Sequence, residues 1–192
     1  SALAAAYSGN MFTLFLCYEI LTVSTYPLVT HAGTEEAKKS GRVYLGILLG
    51  TSIGLQLLAI LITYAITGTL DFKEGGILAG KLDPTFAWLL YALFVFGVGK
   101  AAVMPFHKWL PAAMVAPTPV SALLHAVAVV KAGVFTILKV TIYIFGADFI
   151  TESGASDWLV WFAALTILLA SLIAMTKDNL KARLAYSTVS QL

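Results

Sequence analysis

Charged residues and cysteine are scarce in this sequence. Of its 192 residues, 11% are Asp, Glu, Lys or Arg, whereas 59% are apolar. A soluble domain carries about 25% charged residues, so the composition excludes an ordinary soluble protein. The single cysteine, Cys17, lies within an apolar run, which excludes a disulfide framework and a cysteine-ligated metal cluster.

The sequence also lacks the patterns of catalysis, nucleotide binding and nucleic-acid binding. The run from Gly97 to Lys100 has neither the spacing nor the Ser/Thr of a phosphate-binding loop. No Ser/His/Asp or Cys/His arrangement and no histidine pair with haem or zinc spacing is present. The basic residues are too few and too dispersed for nucleic acid. We therefore expect a protein that is not an enzyme and has no cofactor and no bound metal.

The two ends of the chain lack the features of natural termini. The first residue is Ser1 and no basic stretch precedes an apolar one, so the N-terminus does not resemble a signal peptide. At the other end the pattern stops at Leu192 without a cap or a tail. We expect both ends to lie inside a longer protein.

Long apolar blocks are what the sequence does contain. A helix crosses a hydrocarbon layer of about 30 Å with about 20 apolar residues. Only helices or closed barrels satisfy the backbone in lipid, and runs this long do not fit barrel strands. The sequence therefore predicts an all-α, polytopic transmembrane bundle in a single domain with about five spans, and an amphipathic start of a further span at 177–192. The predicted spans are 7–30, 43–70, 85–104, 120–145 and 158–175.

Basic residues predict the orientation of the bundle. They concentrate in the loops after the first, third and fifth spans, and the other loops contain only Lys73 and Lys81. Loops rich in Lys and Arg face the cytoplasm. The loops predicted to be cytoplasmic carry Lys38, Lys39, Arg42, Lys108, Lys177, Lys181 and Arg183.

Prolines predict a broken helix between the third and fourth spans. Proline removes a backbone donor and restricts the residue before it, so no regular helix can run through a cluster of prolines. We expect an apolar arm that ends near Lys100, a short helical piece at 109–114, and then the fourth span. The prolines of this region are Pro105, Pro111, Pro117 and Pro119.

Three ionisable residues are placed at mid-depth in different spans. Glu19 lies twelve residues before His31, and Lys131 lies twelve residues after Pro119, which puts each about 18 Å into the membrane. Lys100 lies just ahead of the proline-rich break. A charge at such a depth costs several kcal/mol, so it needs a partner, a water cavity or a function. Three such residues in different spans indicate an ion or proton path.

The predicted pair of Glu19 and Lys100 has the chemistry of a proton switch. A desolvated lysine releases its proton more readily, and a nearby carboxylate favours the charged form. Moving the carboxylate away would therefore eject the proton. The alternative is a static ion pair that holds spans one and three together.

Further titratable residues extend the predicted path. His125 would relay protons from the cytoplasmic side, or would be a neutral imidazole bonded to Ser121. His107, in the break, is expected at the interface, with a pathway role as the other possibility. Lys139 is either an outer exit or a side chain that reaches the far interface as an anchor.

Several motifs resemble one family of membrane proteins. They are GKAAVMPFHKWLPAAM at 99–114, APTPVSALLHA at 116–126, LKARLAYSTVSQ at 180–191 and YEILT at 18–22. They are similar to the proton-conducting membrane transporter family, which includes Mrp-type cation/proton antiporter subunits and the antiporter-like subunits of respiratory complex I. The run HAVAVVKAGVF at 125–135 is most similar to the D-type Mrp subunit.

The resemblance implies a mechanism and a setting. Residues matching Glu19 and Lys100 form the regulated pair of one half-channel in that family, and residues matching His125 and Lys131 continue it. The chain would be half of an inverted-repeat, antiporter-like fold, with a second half-channel beyond Leu192.

The residues and the resemblance together predict three alternative functions. The first is proton translocation coupled to Na⁺ or K⁺ antiport, by a subunit of a multi-subunit complex in the bacterial inner membrane. The second is a proton-pumping subunit of an NADH:quinone oxidoreductase of the complex I type, with the redox cofactors on other subunits. The third is a membrane scaffold whose buried charges only specify packing.

Overall fold

The computed structural model of the chain describes residues 1–124 and 129–192, which form α-helices joined by turns and loops. Within these residues the β-structure consists of one isolated bridge between Asn10 and Asp71. The predicted all-α class is confirmed. The helices are α1 (Ala2–Ala6), α2 (Met11–Val29), α3 (Glu35–Thr67), α4 (Pro84–Gly97), α5 (Trp109–Ala113), α6 (Thr118–Ala122), α7 (Val129–Phe145), α8 (Ala147–Ser153), α9 (Asp157–Met175) and α10 (Leu180–Gln191).

Polar caps set where the long helices begin. The side chain of Asn10 accepts a hydrogen bond from the Thr13 amide at 2.7 Å at the start of α2. Thr34 Oγ1 accepts one from the Ala37 amide at 3.1 Å at the start of α3. Such caps satisfy backbone donors that the first helical turn leaves free. Helix α3 therefore begins at Glu35, ahead of the apolar block predicted from residue 43.

The chain is a multi-pass membrane protein. In the described part, three helices are long and apolar enough to cross a membrane, namely α2, α3 and α9. Helices α7 and α8 add a fourth candidate if the pair, bent by 82°, is one span, and α4 is a shorter apolar helix of 14 residues. Helix α9 exposes large apolar side chains, including Trp161 and Leu168, as expected of a helix that faces lipid or another membrane helix.

The predicted broken helix is confirmed. Helix α4 ends at Gly97, and a 3₁₀ turn follows at Gly99–Ala101. Ala102 then adopts a left-handed conformation with φ of 54°. A second 3₁₀ turn and the short helix α5 complete the connection toward α6. The break places Lys100 on a tight turn inside the bundle instead of on a regular helix.

Two apolar clusters flank this turn. One joins α2, α4 and α7 around Leu14, Phe94 and Phe145. The other joins α3 and α5 around Tyr44 and Trp109. The break region therefore runs between two packed cores, which fixes the position of the polar groups around Lys100.

Candidate functional site

Lys100 is fully buried, with 0% of its surface exposed. Its Nζ donates hydrogen bonds to the Tyr18 carbonyl oxygen at 2.8 Å and to Thr22 Oγ1 at 2.6 Å. The same nitrogen lies 3.0 Å from the centroid of the Tyr18 ring. A buried ammonium needs such acceptors, because leaving it unpaired would cost many kcal/mol. The pocket of Lys100 is thus built by one turn of α2.

Tyr18 and Thr22 stand one helical turn apart, on the same face of α2. Tyr18 also accepts a hydrogen bond at its hydroxyl from the Lys100 backbone nitrogen at 3.1 Å. Thr22 Oγ1 lies 3.2 Å from the Tyr18 carbonyl oxygen, to which it can donate. Sequence reasoning missed both residues, although their spacing on either side of Glu19 was a usable signal.

Glu19 lies between these two residues but does not contact the lysine directly. Glu19 as a whole is half-buried. Both carboxylate oxygens are nonetheless shielded, and neither has a hydrogen-bond partner among residues 1–124 and 129–192. The one ion pair within 4.0 Å in that part of the chain joins Lys38 to Glu35. Glu19 nevertheless belongs to the turn of α2 that holds the lysine, because Tyr18 and Thr22 on either side of it accept the hydrogen bonds of Lys100.

Trp109 holds the turn that carries Lys100. Its indole Nε1 donates a hydrogen bond to the Gly99 carbonyl oxygen at 2.8 Å. The indole is fully buried and meets the Tyr44 ring edge to face, with centroids 5.7 Å apart. The same carbonyl oxygen also accepts the 3₁₀ hydrogen bond from the Ala102 backbone nitrogen at 3.0 Å, so the indole adds a second donor that fixes the turn. Trp109 is a positioning residue that the sequence did not reveal.

Gly133 brings α7 against the same turn, and Lys131 points elsewhere. A side chain at Gly133 would place its Cβ 2.5 Å from the Ala101 nitrogen and 2.6 Å from the Lys100 carbonyl carbon. Lys131, two residues earlier on the helix, is exposed. Two residues correspond to about 200° around a helix, so Lys131 faces away from the Lys100 pocket. An exposed lysine at this depth needs water or another protein surface over it.

The close approach at Gly133 leads to a testable expectation. Gly133→Ala should lower the free energy of unfolding of the full-length protein by about 1–3 kcal/mol, because backbone atoms of the turn cannot move aside for the added methyl group. Proton flux should also fall, because the added methyl group pushes the turn that carries Lys100 out of place. Thermal unfolding in detergent and flux in proteoliposomes measure the two effects. Gly9→Ala is the matched control, because no atom lies within 4 Å of the Cβ it adds. Unchanged stability in Gly133→Ala would contradict the close packing of α7 on the turn.

The outlying predicted residues have contacts of their own. Lys139 Nζ donates to the Ser8 carbonyl oxygen at 2.9 Å and to that of Ala6 at 3.3 Å. It thereby ties the N-terminal segment to α7.

His107, in the connection before α5, is buried, with its ring centroid 6.0 Å from that of Tyr186. Burial lowers the pKa of the His107 imidazole below its usual value, and the charge of Lys108 lowers it further.

The remaining predicted residues frame the break. Pro105 is exposed and follows Met104 through a cis peptide bond. Pro117 precedes the first residue of α6, and Pro119 lies in its first turn, positions where proline costs no helical hydrogen bond. His125 lies outside the described residues.

The pocket of Lys100 suits both protonation states of its side chain. A charged ammonium donates to the Tyr18 carbonyl and to the Thr22 hydroxyl, as observed. A neutral amine can keep donating to the carbonyl while it accepts a hydrogen bond from the hydroxyl, which is both donor and acceptor. The lysine can therefore lose its proton without leaving a buried polar group unsatisfied.

The chain matches the family model described as "NADH:quinone oxidoreductase/Mrp antiporter, TM" over residues 8–192. A Staphylococcus aureus protein named as an antiporter subunit, mnhA2, is 33% identical over 199 residues, covering 100% of this chain and 24% of the relative. A Staphylococcus haemolyticus protein of the same name is 34% identical over 198 residues, with the same coverage.

Two solved structures share the fold of the chain. The Mrp complex of Dietzia sp. DQ12-45-1b superimposes with a TM-score of 0.83 and 32% identity, covering 98% of this chain and 20% of that one. The membrane-bound sulfane sulfur reductase, an archaeal respiratory membrane complex, superimposes with a TM-score of 0.84 and 29% identity, covering 99% and 39%.

The staphylococcal relatives are much longer than this chain. This chain spans about a quarter of the length of the two staphylococcal relatives. Both relatives are named mnhA2. Their names do not test the D-type assignment, which stays a prediction.

Proposed function

This chain belongs to the NADH:quinone oxidoreductase/Mrp antiporter transmembrane family, and we propose that it forms a proton half-channel of a monovalent cation:proton antiporter. The observation that carries the proposal is the fully buried Lys100 on the broken helix, bound by the turn of α2 that also bears Glu19. Buried lysines with acceptors but no direct carboxylate contact are suited to release a proton.

In this proposal Glu19 controls the charge of Lys100. When the carboxylate moves toward the lysine, it favours the ammonium. When it moves away, the amine is favoured and the proton leaves toward the next group of the path. His125 and then Lys131 take the proton onward, Lys131 through whatever protein or water covers its exposed side. His107 and Lys139 would lie at the two ends of the route.

The proposed setting is a hetero-oligomeric complex in the bacterial cell membrane. Relatives named as antiporter subunits, and structural neighbours that are multi-subunit membrane complexes, support this setting. The exchanged cation would be Na⁺ or K⁺. A second candidate is a proton-pumping subunit of a respiratory complex, favoured by the likeness to the archaeal respiratory membrane complex.

Ion-driven pH changes in vesicles separate these two candidates. Everted membrane vesicles that contain the whole complex, but no electron donor, should become less acidic inside when Na⁺ or K⁺ is added, because the entering cation drives protons out. A pH-sensitive dye records the change, and choline chloride is the control salt. A pH change that requires an electron donor and ignores both cations would instead establish the respiratory candidate.

A further inference from the structure

Tyr44 on α3 makes a buried hydrogen bond to α2. The residue is 0% exposed, and its hydroxyl oxygen lies 2.7 Å from Thr25 Oγ1. Thr25, which is also buried, can donate its own hydrogen to the Leu21 carbonyl oxygen at 2.8 Å. The tyrosine is then the donor in the bond between the two hydroxyls. The proposed half-channel does not use either residue.

The ring of the same tyrosine contacts the break. It meets the Trp109 indole edge to face, with the centroids 5.7 Å apart, inside one apolar cluster. Trp109 donates to the Gly99 carbonyl oxygen at 2.8 Å, and Gly99 directly precedes Lys100 in the 3₁₀ turn. Tyr44 therefore reaches the backbone that carries the lysine through a single intervening side chain.

These contacts form a closed circuit around Lys100. The lysine Nζ donates to Thr22 Oγ1 at 2.6 Å. Thr22 lies about one turn before Thr25 on the same side of α2, and Thr25 Oγ1 is 3.0 Å from the Thr22 carbonyl oxygen. From Thr25 the circuit passes through Tyr44 to Trp109 and returns along the turn to the lysine. Each link is a hydrogen bond, a ring contact or the chain itself.

Helix α3 also packs directly on the turn. A Cβ added at Gly99 would clash with the hydroxyl oxygen of Thr51, which is about two turns after Tyr44 on α3. The Thr51 hydroxyl bonds only carbonyl oxygens of its own helix, those of Ile47 at 2.9 Å and Leu48 at 3.2 Å. Thr51 thus supports the turn by packing, whereas Tyr44 adds a hydrogen bond across to α2.

We propose that Tyr44 is a positioning residue for Lys100. Its hydroxyl fixes α3 to α2 and its ring fixes Trp109, so the lysine Nζ stays within hydrogen-bond distance of its acceptors on α2. A displacement of about 1 Å at a reacting group can slow a reaction by about a hundredfold. A phenylalanine would fill the same place but would let the break shift relative to α2. The inference rests on the proposed half-channel for its effect on transport, but the geometry of the circuit does not.

Removing either hydroxyl tests this role in the full-length protein within its complex. Proton flux in proteoliposomes should fall about fivefold or more in Tyr44→Phe and in Thr25→Val, the size expected for losing one buried hydrogen bond. Thr25→Ser keeps the hydroxyl and should retain nearly normal flux. Tyr91→Phe is the matched control and should transport normally, because Tyr91 is also buried but bonds Thr141 Oγ1, at 3.1 Å, between α4 and α7.

Combining Thr25→Val with Tyr44→Phe separates positioning from stability. Thr25→Val alone leaves the Tyr44 hydroxyl without its partner and should lower the melting temperature. The double variant replaces both partners by apolar groups of similar shape, so its melting temperature should recover, while its flux should stay as low as in Tyr44→Phe. Recovery of flux together with stability would overturn the positioning role. If Tyr44→Phe does not assemble, equal flux in Thr25→Val and Thr25→Ser would overturn it as well.

Fluorine NMR measures the circuit without transport. In protein labelled with 5-fluorotryptophan, the Trp109 resonance is identified by its loss in Trp109→Phe. It should shift in Tyr44→Phe and in Thr25→Val, and not in Tyr91→Phe. An unchanged resonance overturns the positioning role. Normal flux in Lys100→Met would instead overturn the half-channel, and a shifted Trp109 resonance would still show that Tyr44 holds the break.

Discussion

Lys100→Met in the full-length protein is expected to reduce proton flux to background, a loss of about a hundredfold or more if the residue is the proton carrier. The substitution removes the titratable group but keeps a similar shape in a pocket with no exposed surface. Flux is measured in proteoliposomes under an imposed pH gradient.

Assembly should survive this substitution. Removing a buried charge relieves its desolvation cost, and Thr22 Oγ1 can still donate to the Tyr18 carbonyl oxygen. Lys81→Met, in an exposed loop position, is the control and should transport normally. Normal flux in Lys100→Met with intact assembly would leave only the scaffold reading of the buried charges.

Glu19→Gln is expected to lower proton flux by about tenfold or more, because a neutral amide cannot draw the proton back to Lys100. The carboxylate oxygens are shielded and unpartnered in the described residues, so the amide fits the same space. The same proteoliposome assay measures the loss.

A glutamate far from Lys100 serves as the control for Glu19→Gln. Glu36→Gln changes an exposed glutamate in the first turn of α3 and should have no effect on flux. A similar loss in both variants would mean that overall charge matters, and not the carboxylate beside Lys100.

The absence of a direct ion pair between Glu19 and Lys100 distinguishes a switch from a static link. The ammonium is satisfied by the Tyr18 carbonyl and the Thr22 hydroxyl, so the lysine does not depend on the carboxylate for its hydrogen bonds. Glu19 then acts through its charge and can move without breaking the packing of α2 on the broken helix. A tight salt bridge would instead resist separation.

Much of the break could be predicted from the sequence, because its cause is local. Pro105, Pro117 and Pro119 lack the backbone donors of a helix, so they mark where α4 cannot continue. The depths of Glu19 and Lys100 follow from counting residues along their spans. The structure places Lys100 against the turn of α2 that carries Glu19, a lateral position that counting residues does not give.

The partners of Lys100 could not be predicted in the same way. Which face of α2 meets the turn depends on how the helices cross, so Tyr18 and Thr22 were missed. The hydrogen bond from Trp109 to the Gly99 carbonyl oxygen joins residues ten apart across an irregular loop.

The direction of the Lys131 side chain could not be predicted from its depth in the membrane. Its distance from Pro119 gives its height in the membrane, but height does not say which way a side chain points. Gly133 faces the Lys100 turn, and the helical period then turns Lys131 outward. Its share in the path therefore stays a prediction that depends on what covers this face.

Comparing proton flux in Lys100→His and Lys100→Arg tests most directly whether the buried side chain must lose its proton. Imidazole is smaller and titrates near neutral pH, whereas a guanidinium keeps its charge. If Lys100 carries protons, Lys100→His retains measurable flux and Lys100→Arg falls to background. Flux in Lys100→Arg equal to or above that in Lys100→His would contradict proton carriage by Lys100, because a permanent positive charge would then suffice.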